Sequence, residues 1–252
     1  MRFIRFASKS GKVNYGWIKD DKVGVIAGDL FGEYRRLKAD IDYDKIKLYA
    51  PLLPGKIICV GRNYVDHAKE QGAEVPEIPL IFLKPPSAVI GPEEEIILPP
   101  QSNQIEHEAE LGVVIGKTGR WIPMEKANDF IFGYTIANDV TARDLQRRDI
   151  QWTRGKGFDT FCPIGPWIET EFFHSDALIT CKVNDELRQM ASTKEMVFSI
   201  PQIIAFISSI MTLNPGDLIL TGTPAGIGPL VKGDRVEITI EGIGTLRNKV
   251  VS

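Results

Sequence analysis

The run Ile105-Glu106-His107-Glu108-Ala109-Glu110-Leu111-Gly112-Val113-Val114-Ile115-Gly116 constrains the fold more than any other stretch of the chain. Alternate side chains of a strand project to one face, so an extended run places Glu106, Glu108 and Glu110 in a single carboxylate row. The apolar Val113-Val114-Ile115 that follows anchors the strand in a core, where something positive must offset charges so close together. Two readings satisfy this. In one, a hard divalent cation neutralises the row, and oxygen-only donors favour magnesium, calcium or manganese over metals that draw on histidine or thiolate. In the other, the row belongs to an edge strand that carries charge against aggregation.

A chain of 252 residues can bury a sizeable core and allows one large domain with a small appendage. The formal net charge of -3 and the scattered basic residues leave no footprint for nucleic acid. Cys59, Cys162 and Cys181 lie far apart without a CxxC pair, which argues against a disulfide framework or zinc knuckle and fits a reducing cytosol. The first residues lack a basic segment followed by an apolar signal core, and no apolar stretch reaches spanning length, so a cytoplasmic protein with no membrane partner is expected.

Short β-like runs at Arg2 to Ala7, Val13 to Ile18 and Lys22 to Ala27 predict a small β-rich N-terminal domain over 1–54, with a charged helix over Gly32 to Lys47. Pro51 and Pro54 mark the boundary to a main domain over 55–252. There, strand candidates dominate and helices are few: Tyr64 to Gln71, Thr141 to Arg148, and Ile200 to Met211 after Ser199 as N-cap. No strand-helix alternation runs through the chain, which excludes a doubly wound parallel sheet and predicts a mainly β fold of the α+β class.

Three further segments carry candidate chemistry. Asp139 stands where an apolar strand gives way to a helix, a position that suits either an N-cap or a third ligand joining a glutamate pair. His67 and Glu70 share one helical face, as a surface pair or as a proton-transfer pair, before a polar, Pro-rich segment up to Pro79 of the kind that builds lids. Arg143 and Gln146 follow Asp139 at helical spacing, and Lys156 sits between glycines; arginine suits a carboxylate through its fork, lysine a developing oxyanion, and either serves also as a plain surface cation. Leu220 to Gly228 is Gly-rich yet lacks the Gly-Lys-Ser/Thr ending of a phosphate loop, and reads as a tight turn that places the Thr223 hydroxyl.

Taken in order, Gly61-Arg62-Asn63-Tyr64 with His67, Phe82-Leu83-Lys84-Pro85, Glu108-Ala109-Glu110-Leu111, Asn138-Asp139-Val140-Thr141-Ala142-Arg143-Asp144, Lys156-Gly157-Phe158-Asp159 and Thr221-Gly222-Thr223-Pro224 closely resemble the fumarylacetoacetate hydrolase family. The resemblance covers about 56–250. It implies a mostly β, mixed sandwich roll, usually assembled as a homodimer. It implies Glu108, Glu110 and Asp139 as ligands of Mg2+ or Mn2+, with Ca2+ as a third hard cation, and demotes Glu106 to a neighbour. It further implies His67 with Glu70 as a water-activating pair, Lys156 as an electrophile, and Arg143, Gln146 and Thr223 as substrate contacts. Val60 stands where longer members place another carboxylate, and Arg62 replaces an aromatic beside the substrate, which points to the short, acylpyruvase-like branch.

The resemblance implies a shared chemistry in which the metal, chelated by a carboxylate and 2-oxo group, stabilises a pyruvate enolate. Water delivered by Glu70 then makes the protein a hydrolase of the carbon-carbon bond of acylpyruvates, the expected activity. Loss of carbon dioxide would make it an oxaloacetate decarboxylase, and a shifted proton a 2-hydroxyhepta-2,4-diene-1,7-dioate-type isomerase. The non-enzymatic alternative binds a metal and a 2-oxo acid without turnover. In every case the expected partner is a small 2-oxo acid or dicarboxylate.

Overall fold

The computed structural model describes residues 1–7 and 11–252. The protein is mainly β, with several sheets and short helices, as expected. The largest sheet has twelve strands, and Ala109–Ile115 lies inside it, antiparallel both to Ile131–Asn138 and to Leu218–Leu220. This central place rules out the edge reading of the acidic run. Leu111, Val113 and Ile115 enter one apolar cluster with Ile203, Ile204 and Ile207, while Val114 enters another with Ala137, Leu218 and Leu220. Apolar packing on both faces explains why Val113-Val114-Ile115 is continuous rather than alternating.

The run does not form one strand. Ile105–His107 pairs with Thr141–Ala142 and Gly228–Pro229 in a separate three-stranded sheet, and the chain changes sheets at Glu108. The strict alternation expected for Glu106, Glu108 and Glu110 therefore breaks at the middle residue. A five-stranded sheet, including the hairpin Leu178–Val183 with Glu186–Ser192, completes the main body. The hairpin turns at Asn184 and Asp185, both at positive φ (51° and 69°), a conformation these two residue types tolerate.

The N-terminal strands join the largest sheet, since Arg2–Ala7 pairs antiparallel with Cys162–Glu169. The helix expected over Gly32 to Lys47 is absent. Tyr34–Asp42 is a strand at the sheet's edge, paired with Lys22–Gly28, and Trp17 Nε1 donates to Leu37 O at 2.9 Å. Its charged residues read as a helix because most of the strand is exposed, and a protected edge carries such charges. Pairing overrode local propensity. The other expected helices occur at Val65–Glu70, Arg143–Arg148 and Ile200–Ile210; in the last, Gln202 reaches back to accept the Ser199 N–H at 2.8 Å. No described helix is long and apolar enough to cross a membrane.

Candidate metal centre

Glu108 stands at the sheet change, Glu110 on the central strand Ala109–Ile115, and Asp139 immediately after its partner strand Ile131–Asn138. Asp139 N–H donates to Glu108 O at 2.9 Å, and the Asn138 side chain accepts the Glu108 N–H at 2.9 Å. The sheet register thus brings the segments together, and one carboxylate oxygen from each of Glu108, Glu110 and Asp139 lies within 4.8 Å of the others. Asp139 is not a helix cap, because the helix that follows starts at Arg143 with Ala142 at its N-cap.

All three carboxyls are buried, and their surroundings differ sharply. Burial opposes ionisation of Glu108 most strongly, yet Lys156 and Arg143 together overcome it and hold the carboxyl well below its usual range. Lys156 Nζ reaches Glu108 Oε2 at 2.7 Å and Asp139 Oδ2 at 2.6 Å, and Arg143 Nη2 contacts Glu108 Oε1. At Glu110 the opposing influences win over the charge of Lys156. Burial first, then the charges of Asp139 and Glu108, push its carboxyl well above the ordinary range, against one N–H from Gly222 at 2.6 Å. Gly222 needs to be glycine, since its φ is +96° and an added Cβ would come 2.7 Å from Asn63 Cβ.

This donor set fits a hard divalent cation. It consists of converging oxygens, and a carboxyl whose ionisation is opposed by burial and by two neighbouring carboxylates is one whose charged form a bound dication would favour.

The expected cations and polar groups gather around the same cavity, which His67, Arg62, Arg143, Gln146, Lys156 and Thr223 line with the three acids. Lys156 is buried on the short helix Thr153–Lys156; burial works against its charge, but Asp139 and Glu108 raise its pKa above the lysine norm and keep it an ammonium. Gly155 lets that helix approach its predecessor, for a Cβ there would lie 2.9 Å from Gln146 N. Arg143 is committed on three sides: Nε to Glu106 Oε2 at 2.8 Å, Nη2 to Glu108 and Nη1 to Gln146. Glu106 is therefore the anchor of Arg143, with Gln104 Nε2 donating to its other oxygen at 2.6 Å.

His67 lies 3.4 Å, through Nδ1, from Oε2 of the exposed Glu70, whose carboxylate also accepts the Gly226 N–H. Burial lowers the His67 pKa more than the neighbouring Glu108 raises it, which favours a neutral imidazole at the cavity wall. Arg62 differs from the other cations. It has φ of +57°, sits with its guanidinium carbon 5.9 Å from the Trp152 ring centroid, and makes no salt bridge among the described residues.

Lys84, in the Phe82-Leu83-Lys84-Pro85 segment, joins the centre from a neighbouring strand. Its buried Nζ donates to Asp139 Oδ1 at 2.6 Å and Val140 O at 3.2 Å. A lysine in an apolar strand before proline was the only signal available. For Gln189, on the largely exposed strand Glu186–Ser192, the sequence holds no such signal.

Comparison with known proteins agrees with this geometry. Residues 56–251 match the family described as fumarylacetoacetate (FAA) hydrolase, C-terminal, and residues 1–51 match that described as Rv2993c-like, N-terminal. The chain is 46% identical over 220 residues to the mitochondrial oxaloacetate tautomerase FAHD2B of Bos taurus, covering 82% of this chain and 70% of that one. It is also similar to 5-carboxymethyl-2-hydroxymuconate delta-isomerase from Mycobacterium smegmatis (TM-score 0.92, 45% identity, 100% and 99% of the two chains). A further likeness is to maleylpyruvate hydrolase from Sphingobium sp. SYK-6, solved with manganese(II) and pyruvate (TM-score 0.82, 33% identity, 100% and 99%). With the match spanning the whole main body and the acidic centre lying inside it, the chain belongs to the fumarylacetoacetate hydrolase family.

Proposed function

We propose that the protein moves a proton between carbon and oxygen of a small 2-oxo dicarboxylate, interconverting enol and keto forms of an oxaloacetate-like substrate. The observation that carries this reading is Arg62, a cavity-lining guanidinium without a salt bridge among the described residues, whereas Arg143 is already bound to Glu106 and Glu108. A free fork at the cavity wall suits a second, distal carboxylate, which oxaloacetate carries and acetylpyruvate lacks. The likeness to an oxaloacetate tautomerase supports the same choice.

Glu108, Glu110 and Asp139 would hold the metal, which when bound supplies Lewis-acid polarisation of the 2-oxo group. Lys156 donates from its ammonium to oxygen as negative charge grows there. A neutral His67 takes a proton from one of the two substrate atoms, C3 or the enol oxygen, and returns it to the other, while Glu70, outside the wall, orients the ring and stabilises its charged form in between. Arg143 orients Gln146 by donating to its Oε1, which leaves the Gln146 amide N–H2 to donate to the near carboxylate, and Thr223 offers its hydroxyl.

The test follows enol oxaloacetate decay by absorbance, corrected for the spontaneous and free-metal rates, with metal-stripped protein and added Mg2+ or Mn2+. Enzyme-dependent decay restored by metal supports the reading; none would overturn it. Arg62→Gln is expected to raise KM for oxaloacetate by about tenfold or more with kcat little changed, through loss of a charge-assisted pair. An unchanged KM would remove Arg62 from the site.

A second reading, hydrolysis of 2,4-dioxo acids ending in a carboxylate, such as fumarylpyruvate, draws on the likeness to maleylpyruvate hydrolase and uses the same groups with a water beside His67. Pyruvate release from such a substrate would favour it. We also propose a homodimer, to be tested by light scattering of the purified chain.

A further inference from the structure

Strand Glu186–Ser192 is exposed over most of its length, yet the Gln189 side chain turns inward and is fully buried. Both ends of its amide are partnered. Oε1 accepts from Ala109 N–H at 3.0 Å and lies 3.1 Å from His107 Nδ1; Nε2 donates to Pro224 O at 2.8 Å and Thr223 Oγ1 at 2.7 Å. Backbone partners fix which end is which, since Ala109 N–H can only donate and Pro224 O can only accept. The amide cannot flip without setting like groups against each other at both ends.

This orientation has a consequence at the cavity. A hydroxyl has one hydrogen, and Thr223 Oγ1 already accepts from Gln189. Its hydrogen is therefore left to point elsewhere, and Thr223 lines the cavity that holds Glu108, Glu110 and Asp139. We propose that Gln189 is a positioning residue that fills one lone pair of Thr223 Oγ1 and so keeps its hydrogen free for the ligand, favouring a carboxylate or carbonyl oxygen there. The same amide ties the Thr223 loop to Ala109, the residue between Glu108 and Glu110, so the donor stands at a set place relative to the acidic centre.

The proposal rests on the 2-oxo acid reading of the site, and its test separates the two. Oxalate, an acceptor-only chelator the size of the 2-oxo acid end, is titrated calorimetrically into the full chain with Mn2+, for wild type, Gln189→Leu, Thr223→Val and the double variant. Each single change is expected to weaken oxalate about tenfold, and the double change also about tenfold rather than a hundredfold, because both remove the same bond. A loss in the double variant that multiplies the single losses would overturn the proposal, for Gln189 would then act through the strand alone. Unchanged oxalate affinity in Thr223→Val would overturn it even if Gln189→Leu failed to fold. Absence of oxalate binding by the wild type would instead overturn the 2-oxo acid reading, and this inference with it. Melting temperatures of the four proteins report the structural part, which is expected to follow Gln189→Leu in both backgrounds.

Discussion

Glu110→Gln is expected to abolish metal-dependent turnover while leaving the metal-free protein about as stable as the wild type at acid pH and more stable as pH rises. Burial, Asp139 and Glu108 already force the Glu110 carboxyl toward its neutral form, so an amide of the same shape replaces a group that carries little charge without metal. The Gly222 N–H keeps an acceptor. Below the ordinary carboxyl range, where the group is neutral in folded and unfolded chains alike, this replacement changes stability by no more than about 1 kcal/mol, read as the midpoint of denaturant unfolding in the presence of chelator. With metal the outcome reverses. A ligand that must ionise to bind is lost, and metal affinity should fall by more than about a hundredfold, given that even outer partners of metal ligands are worth ten- to a hundredfold. The sign of the pH dependence follows. A carboxyl whose folded pKa is raised favours the fold at low pH, and this contribution fades as pH rises from the unfolded value through the folded one. Metal-free wild type should therefore lose stability over that window relative to Glu110→Gln. A variant that binds Mn2+ as tightly as wild type, by calorimetry, would remove Glu110 from the ligand set.

Asp139→Asn is expected to fail in the opposite way, losing both metal and fold stability. Asp139 is fully buried and accepts from Lys84 through one oxygen and from Lys156 through the other. An asparagine keeps the shape but presents an N–H2 to one of these ammoniums, leaving a buried cation facing a donor. Lys156 retains Glu108, whereas Lys84 keeps only the carbonyl of Val140. Breaking a buried pair by removing one partner costs about 3–5 kcal/mol. Asp139→Asn should thus unfold at markedly lower denaturant than Glu110→Gln, with chelator present in both. Equal stability of the two would show that Asp139 does not compensate Lys84 and Lys156. Lys84→Met combined with Asp139→Asn should recover part of the loss, since it removes the stranded cation.

The contrast between these variants marks the limit of what alternation in a sequence can say. Spacing made Glu106, Glu108 and Glu110 look equivalent, three members of one row. In the fold the chain changes sheets at Glu108, so Glu106 anchors Arg143, Glu108 is held ionised by Lys156 and Arg143, and Glu110 is pressed toward neutrality. The resemblance to the family separated Glu106 from the others, but only through residues that recur in other chains. The error over 34–42 has a related cause: an exposed edge strand and an exposed helix accept the same charged residues, and the pairing that decides between them lies outside the segment.

What the sequence by itself determined is local. The apolar run after Glu110, the strand-rich pattern, the Ser199 start of the long helix and the identity of the acidic residues depend on neighbours a few positions away, and side-chain period and capping report those faithfully. Tertiary structure alone decided the partners. Lys84 meets Asp139 across 55 residues, Arg143 meets Glu106 across 37, and Gln189 meets Thr223 across 34. No periodicity connects such positions. Charge state and hydrogen-bond polarity are set by burial and by the few groups within contact distance, and both come into existence only when sheet register brings distant segments together.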